Sequence, residues 1–208
     1  MADLQILPKV CFIYRAPGRF VSIENVFNEV EARISNLGFG TAVSFLKFSS
    51  TILGIIGNLL SYRVPDADIY HVTGDCHYIC LRLPKRKTIL TIHDLRFLNC
   101  SKGIRRWLLK KLFLDWPIAR VALITVPSFE TKRHLQEMTG IADDRVEVVM
   151  NALAEIYITP SERTDSVPEK ILMFGGMANK NLPNSLAAIK EYGLTVMTAG
   201  PLENASLR

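Results

Sequence analysis

The feature that most constrains this chain is a series of short apolar runs rich in β-branched residues: "KVCFIY" (9–14), "TAVSFL" (41–46), "ADIYHV" (67–72), "TILTI" (88–92), "VALITV" (121–126) and "VEVVM" (146–150). Stretches with the apolar spacing of helices separate them. Runs that are apolar throughout are buried on both faces, and parallel neighbours need a crossover of helical length between them. The expectation is an α/β fold, a doubly wound parallel sheet of Rossmann-like type covered on both faces.

The first crossover is the clearest helix. Phe20, Ile23, Val26, Phe27, Val30, Ile34 and Leu37 fall on one face, and Gly38 stands ready just past the end. A second helix is expected from Ser128 to about Thr139, with Ser128 as N-cap, Glu130 in the positive first turn and Gly140 as terminator. The stretch Ala42 to Leu60 is apolar enough to be mistaken for a membrane span, but Lys47, the hydroxyl residues at 49–51 and Asn58 make it a strand followed by a helix.

Residues 1–152 are expected to form the first domain. A linker rich in proline and hydroxyl residues is expected at 153–169, and a second α/β unit opens at "KILMFGG" and runs through 170–208. Its 39 residues fall just below the size at which a unit usually folds without help, about 40, so an incomplete second domain is expected.

In a doubly wound sheet, ligands gather beyond the C-terminal strand ends. That rule nominates His93 and Asp94 after "TILTI", and His71, Gly74 and Asp75 after "ADIYHV". Gly18 in "RAPGRF" and Gly175, Gly176 and Lys180 in "FGGMANKN" sit in strand-to-helix loops where backbone or an ammonium group can meet an anion. Each has a plainer reading: a capped turn for the His-Asp pair, a tight turn for the glycines, a solvated charge for Lys180. No GxGxxG follows the first strand, and neither GxxxxGK[ST] nor GxSxG occurs, which weighs against dinucleotide oxidoreductases, P-loop enzymes and serine hydrolases.

The formal charge of +5 fits an anionic substrate, a phosphate-rich ligand or an acidic membrane surface. A nucleic-acid binder is not expected, because the basic residues are not interleaved with aromatics on a recognisable fold for it. Of the four cysteines, Cys76 and Cys80 lie near His71 and His77, but their apolar neighbours favour buried thiols over a zinc site. Free thiols and the lack of a signal-peptide pattern point to the cytoplasm. The segment "KGIRRWLLKKLFLDW" reads as a helix with Leu108, Leu109, Leu112, Phe113 and Trp116 on one side and Arg106, Lys110, Lys111 and Trp107 on the other. A packed helix with a solvated back is the favoured reading, and peripheral contact with an anionic membrane is the other.

Three stretches, "TILTIHDLRFL", "ITVPSFETKRHLQEMTGIADDRVEVVMNAL" and "ILMFGGMANKNLPNSLAAI", together resemble the family-4 retaining glycosyltransferases of GT-B type. The resemblance implies two Rossmann-like domains, a nucleotide-sugar donor held mostly by the second, and a glycan or lipid-linked acceptor held by the first. It implies donor contacts from Gly18 backbone and Lys180, an approach of His93 to the transferred sugar, and no need for a metal or other cofactor. Met177 follows Gly176 where relatives often carry an arginine, and the family's motif with two glutamates does not occur within the 208 residues. A non-catalytic binding module that keeps the acceptor or membrane surface is therefore the alternative to an active enzyme.

Overall fold

The structure is a computed structural model and describes residues 7–18, 22–99, 101–152, 170–174, 182–189 and 192–199. The chain divides into two compact units, Met1–Thr159 and Pro160–Arg208.

The first unit runs β1 (Lys9–Tyr14), α1 (Ser22–Asn36), β2 (Gly40–Phe45), α2 (Ile52–Ser61), β3 (Ile69–Val72), β4 (Thr88–Thr91), α3 (Arg96–Asn99), α4 (Gly103–Lys110), α5 (Trp116–Ala119), β5 (Leu123–Val126), α6 (Phe129–Thr139) and β6 (Val146–Val148). All six strands pair in parallel, in the order β2-β1-β3-β4-β5-β6. This is the α/β, Rossmann-like architecture the apolar runs imply. The chain moves outward from β1 to β2, then returns to the other side of β1 for β3. The direction of winding therefore reverses between β1 and β3, and the C-terminal ends of those strands open a crevice there.

The larger core lies on one face of the sheet. Leu90, Ile92, Ile124, Val126, Leu114 and Leu135 are among its fully buried side chains, each contributing about 2 kcal/mol by leaving water. On the other face α1 packs Ile23, Val26, Phe27, Val30 and Ile34 against Val10, Phe12 and Tyr14. Leu37 departs from the expected stripe and is exposed, because α1 ends at Asn36 and Gly38 turns the chain away with φ +92°. Phe20 lies outside the described residues. Beyond α1, the same face over β4–β6 is open: Ile89, Thr91 and Thr125 floor a pocket of about 550 Å³. The expected cover on both faces is thus only partial among the described residues.

Helix α6 is bounded as its sequence dictates. Ser128 Oγ accepts from Thr131 N at 3.1 Å, and Gly140 closes the helix in the left-handed region, donating its N–H to Gln136 O at 2.8 Å. The basic segment differs from its expectation. It is α4, a π-helical turn at Lys111–Asp115, then α5. A π turn inserts one extra residue and rotates the residues after it, so a single helical wheel mixes two faces. Leu108 and Trp116 are consequently exposed, while Leu114 is fully buried beside Phe113. Lys110 and Lys111 clamp Asp115 at 2.6 and 2.8 Å across the turn. Burial alone would raise the Asp115 carboxyl, but the two ammonium groups hold it below its ordinary value.

The second unit pairs β7 (Lys170–Phe174) in parallel with β8 (Thr195–Ala199), joined through α7 (Leu182–Ile189). Leu172 and Met197 remain largely exposed on this two-stranded sheet. The expected linker at 153–169 lies outside the described residues.

Candidate functional site

A cavity of about 310 Å³ opens at the reversal point, lined by Arg15, Ser50, Asp75, His77, His93 and Asp94 together with apolar Phe97, Leu109 and Phe113. Its polar residues come from loops after β1, β2, β3 and β4, so the sheet itself brings them together.

His93 is the most constrained of them. Its Nε2 lies 2.8 Å from Thr73 O. A carbonyl can only accept, so Nε2 carries the proton, and in the neutral ring Nδ1 is left as an acceptor. Thr73 is itself fixed, its N–H and Oγ1 both donating to Ile13 O at 3.1 and 3.0 Å. The imidazole rests on Gly74, whose φ of +133° and missing side chain are both required: a Cβ there would lie 2.7 Å from His93 Cδ2. The Phe27 ring packs against the imidazole nearly at right angles, with centroids 6.1 Å apart.

Asp75 comes next, in the left-handed region with φ +54°, and Cys76 N donates to Gly74 O at 2.7 Å, closing a three-residue γ-turn around it. A non-glycine residue in such a turn is strained and persists because its surroundings hold it. Here Arg15 holds it. The guanidinium pairs with Asp75 through Nη1 and with Glu24 through Nε and Nη2 at 3.0 and 3.1 Å. Arg15 is therefore already engaged by two carboxylates. Asp94, exposed at the rim, uses Oδ1 to accept from Arg96 N at 3.0 Å and so starts α3. The capped-turn reading and a place in the cavity hold for it together.

His77 donates Nδ1–H to Phe113 O at 2.7 Å. Burial lowers its pKa, with the hydrogen bond opposing the shift, so the ring is neutral with Nε2 as acceptor.

His71 is placed elsewhere. Strand alternation turns it to the α1 face, where its ring meets Phe27 at 4.9 Å and borders the 550 Å³ pocket. Its Nε2 contacts Thr91 Oγ1 at 2.8 Å, and Thr91 continues to Thr125 at 2.6 Å. Burial, assisted by nearby His93, lowers its pKa to about 4. His71 and His93 therefore line separate pockets, although both rings meet Phe27. Gly18 sits exposed after β1, and a Cβ there would meet nothing closer than Ala16 O at 4.0 Å. Gly175, Gly176 and Lys180 lie outside the described residues.

Sequence reasoning passed over Arg15 and considered His77 only as a zinc ligand. Arg15 could have been found by the rule that found His93, since it comes directly after β1. The Cys76 and Cys80 thiols are buried, and burial pushes both upward, toward the protonated form that binds metal poorly. No group of three or more His, Cys, Asp or Glu side chains is placed to hold a metal ion among the described residues. Nor is any described helix long and apolar enough to cross a membrane.

Two carboxylates and two imidazoles around a cavity whose arginine is already paired make a site rich in acceptors for hydroxyl protons. A comparison with curated proteins finds no match. The model of Glycosyltransferase Family 4 matches residues 10–154, which is more than half of the chain and takes in all six strands of the sheet except the first residue of β1. The chain thus belongs to glycosyltransferase family 4.

Proposed function

We propose that this chain transfers a sugar from a nucleotide-diphosphate donor to a glycan or lipid-linked acceptor, with retention of anomeric configuration in a GT-B arrangement. The observation that carries the reading is the His93 cavity at the reversal point. Asp75, Asp94 and the neutral His77 ring offer acceptors to sugar hydroxyls, and paired Arg15 leaves no surplus positive charge among the lining residues to favour a diphosphate in their place. A polyhydroxyl group fits that balance.

His93 then orients the transferred sugar through Nδ1 and shields the reaction centre, while Asp94 sets the loop. In the transfer step the acceptor oxygen bonds to the anomeric carbon as the bond from that carbon to the diphosphate breaks, and a diphosphate oxygen takes the acceptor proton on the same face. The donor contacts of Gly18 and Lys180 rest on the family resemblance and those of Gly175 and Gly176 on their place in a strand-to-helix loop, with positive charge and backbone N–H groups stabilising the departing diphosphate.

The test is a panel of nucleotide sugars incubated with the purified chain, read by thermal stabilisation and by hydrolysis or transfer. A donor that raises the melting temperature and is turned over, with turnover falling at least about a hundredfold in His93→Ala, supports the reading. If no donor stabilises or reacts, the chain is a binding module and the enzyme reading fails. Unchanged turnover in His93→Ala removes the role given to that residue.

A further inference from the structure

We propose that the pocket of about 550 Å³ beside α1 binds a small, uncharged, largely apolar molecule that carries a hydroxyl group. The sheet changes character there. Under α1 the strands present Val10, Phe12 and Tyr14, whereas farther along the same face they present His71, Ile89, Thr91 and Thr125. Strand alternation sends their neighbours Val72, Leu90 and Ile124 to the larger core instead. Val26, Phe27 and Val30 of α1 and Val149 after β6 supply apolar walls. Small-molecule sites run to roughly 300–1,000 Å³, and apolar walls around a few convergent polar groups are their usual make-up.

The polar groups of the floor form one chain. His71 Nε2 meets Thr91 Oγ1 at 2.8 Å, and Thr91 Oγ1 meets Thr125 Oγ1 at 2.6 Å, in a parallel register that sets the two threonines side by side. Each link has one donor and one acceptor, so the chain runs in one of two directions. If His71 donates from Nε2, its Nδ1 is an acceptor and the Thr125 hydroxyl keeps a proton to give. If the chain runs the other way, Nδ1 carries the proton and Thr125 is left to accept. His71 Nδ1 has no hydrogen-bond partner among the described residues. Nor is it sealed in the core, where Tyr14 Oη is the one orphaned side-chain atom among the described residues. The open space it borders is this pocket. A hydroxyl both donates and accepts, so it suits either end in either direction, whereas a ketone only accepts and an ammonium only donates. Charge is excluded by the same floor. Burial lowers the His71 pKa to about 4 and keeps the ring neutral, and Arg33 at the mouth faces Glu29 at 4.0 Å. An ionic group would lose its hydration here without an ionic partner on the floor. An uncharged occupant keeps the polar contact while displacing water from the apolar walls, which favours binding.

This pocket shares no lining residue with the His93 cavity, so the inference stands or falls without sugar transfer. Its test uses 2-naphthol with two controls of the same ring system: naphthalene, which lacks the hydroxyl, and 2-naphthoate, which is an anion at neutral pH. Each probe is titrated into the purified chain by NMR, and intermolecular NOEs locate it. Saturable binding of 2-naphthol is expected, with NOEs to the methyl groups of Val26, Val30, Ile89 and Val149 and an affinity at least about fivefold above either control. Thr125→Val keeps the shape of the side chain and removes one end of the hydrogen-bonded chain. It is expected to weaken 2-naphthol at least about threefold and to leave naphthalene unchanged, a contrast that a change of shape alone would not produce. No saturable binding of 2-naphthol, NOEs confined to other surfaces, equal affinity for the three probes, or a loss in Thr125→Val that naphthalene shares overturns the proposal. Should that variant fail to fold, the probe series on the unaltered chain decides.

Discussion

The His93 imidazole lies so close to Gly74 that there is no room for a side chain at position 74. A Cβ would meet His93 Cδ2 at 2.7 Å and Nε2 at 3.1 Å. Gly74→Ala must therefore either push the ring off its hydrogen bond to Thr73 O or distort the turn, and its φ of +133° adds backbone strain. The expected outcome is a loss of about 1–3 kcal/mol in stability together with displaced His93 ring resonances. Thermal melting and imidazole NMR spectra check it, and wild-type values in both would show that the ring is not seated there.

Arg15 neutralises Glu24 and Asp75 at once. Replacing it with methionine keeps the stem but leaves the part-buried Glu24 and the exposed Asp75 without their shared cation, at a cost of about 1–2 kcal/mol, most of it from the Glu24 side. The double variant Arg15→Met/Glu24→Gln should recover part of that loss, because the two positions share one network. Urea denaturation of the four proteins of this cycle measures the coupling, and simple additivity would deny the network.

Asn58 joins three groups: Phe48 N, Phe48 O and, through Nδ2 at 2.8 Å, Tyr78 Oη. Asn58→Leu keeps the volume and strands the Phe48 backbone groups without these partners. A destabilisation of about 2–4 kcal/mol is expected, with faster amide exchange in the loop at 46–50. Exchange rates equal to wild type there would mean that the loop does not depend on this side chain.

Stability should fall with acid in a window set by His71. Its folded pKa of about 4 lies below the ordinary histidine value of 6.5, so between those values the unfolded chain binds a proton that the fold refuses. Stability is full above about pH 6.5 and is lost progressively toward pH 4, by about 2 kcal/mol once screening by pocket water is allowed for. Buried His77 shifts in the same direction and adds to the slope. His71→Gln keeps a partner for Thr91 without the titration. Urea midpoints from pH 4 to 7 should show a shallower slope in the variant, and identical slopes would clear His71 of the effect.

The amino-acid order by itself determined the local and periodic features. β1 is a run apolar on both sides because both its faces are buried, one under α1 and one in the larger core, and the ends of α6 were legible because Ser128 and Gly140 act on their own turns. The rule that ligands gather at strand ends also singled out His93 and Asp94 from sequence. Tertiary structure decided the rest. That His71 and His93 line separate pockets depends on which way the last residues of β3 face, and both rings meet Phe27 of α1. That Arg15 meets Asp75 across 60 positions is a consequence of strand order, which no local spacing encodes. The two faces of 102–116 were misassigned because a π turn changes the period of the helix midway, a change written in packing around Phe113 and Leu114 rather than in any residue's own preference.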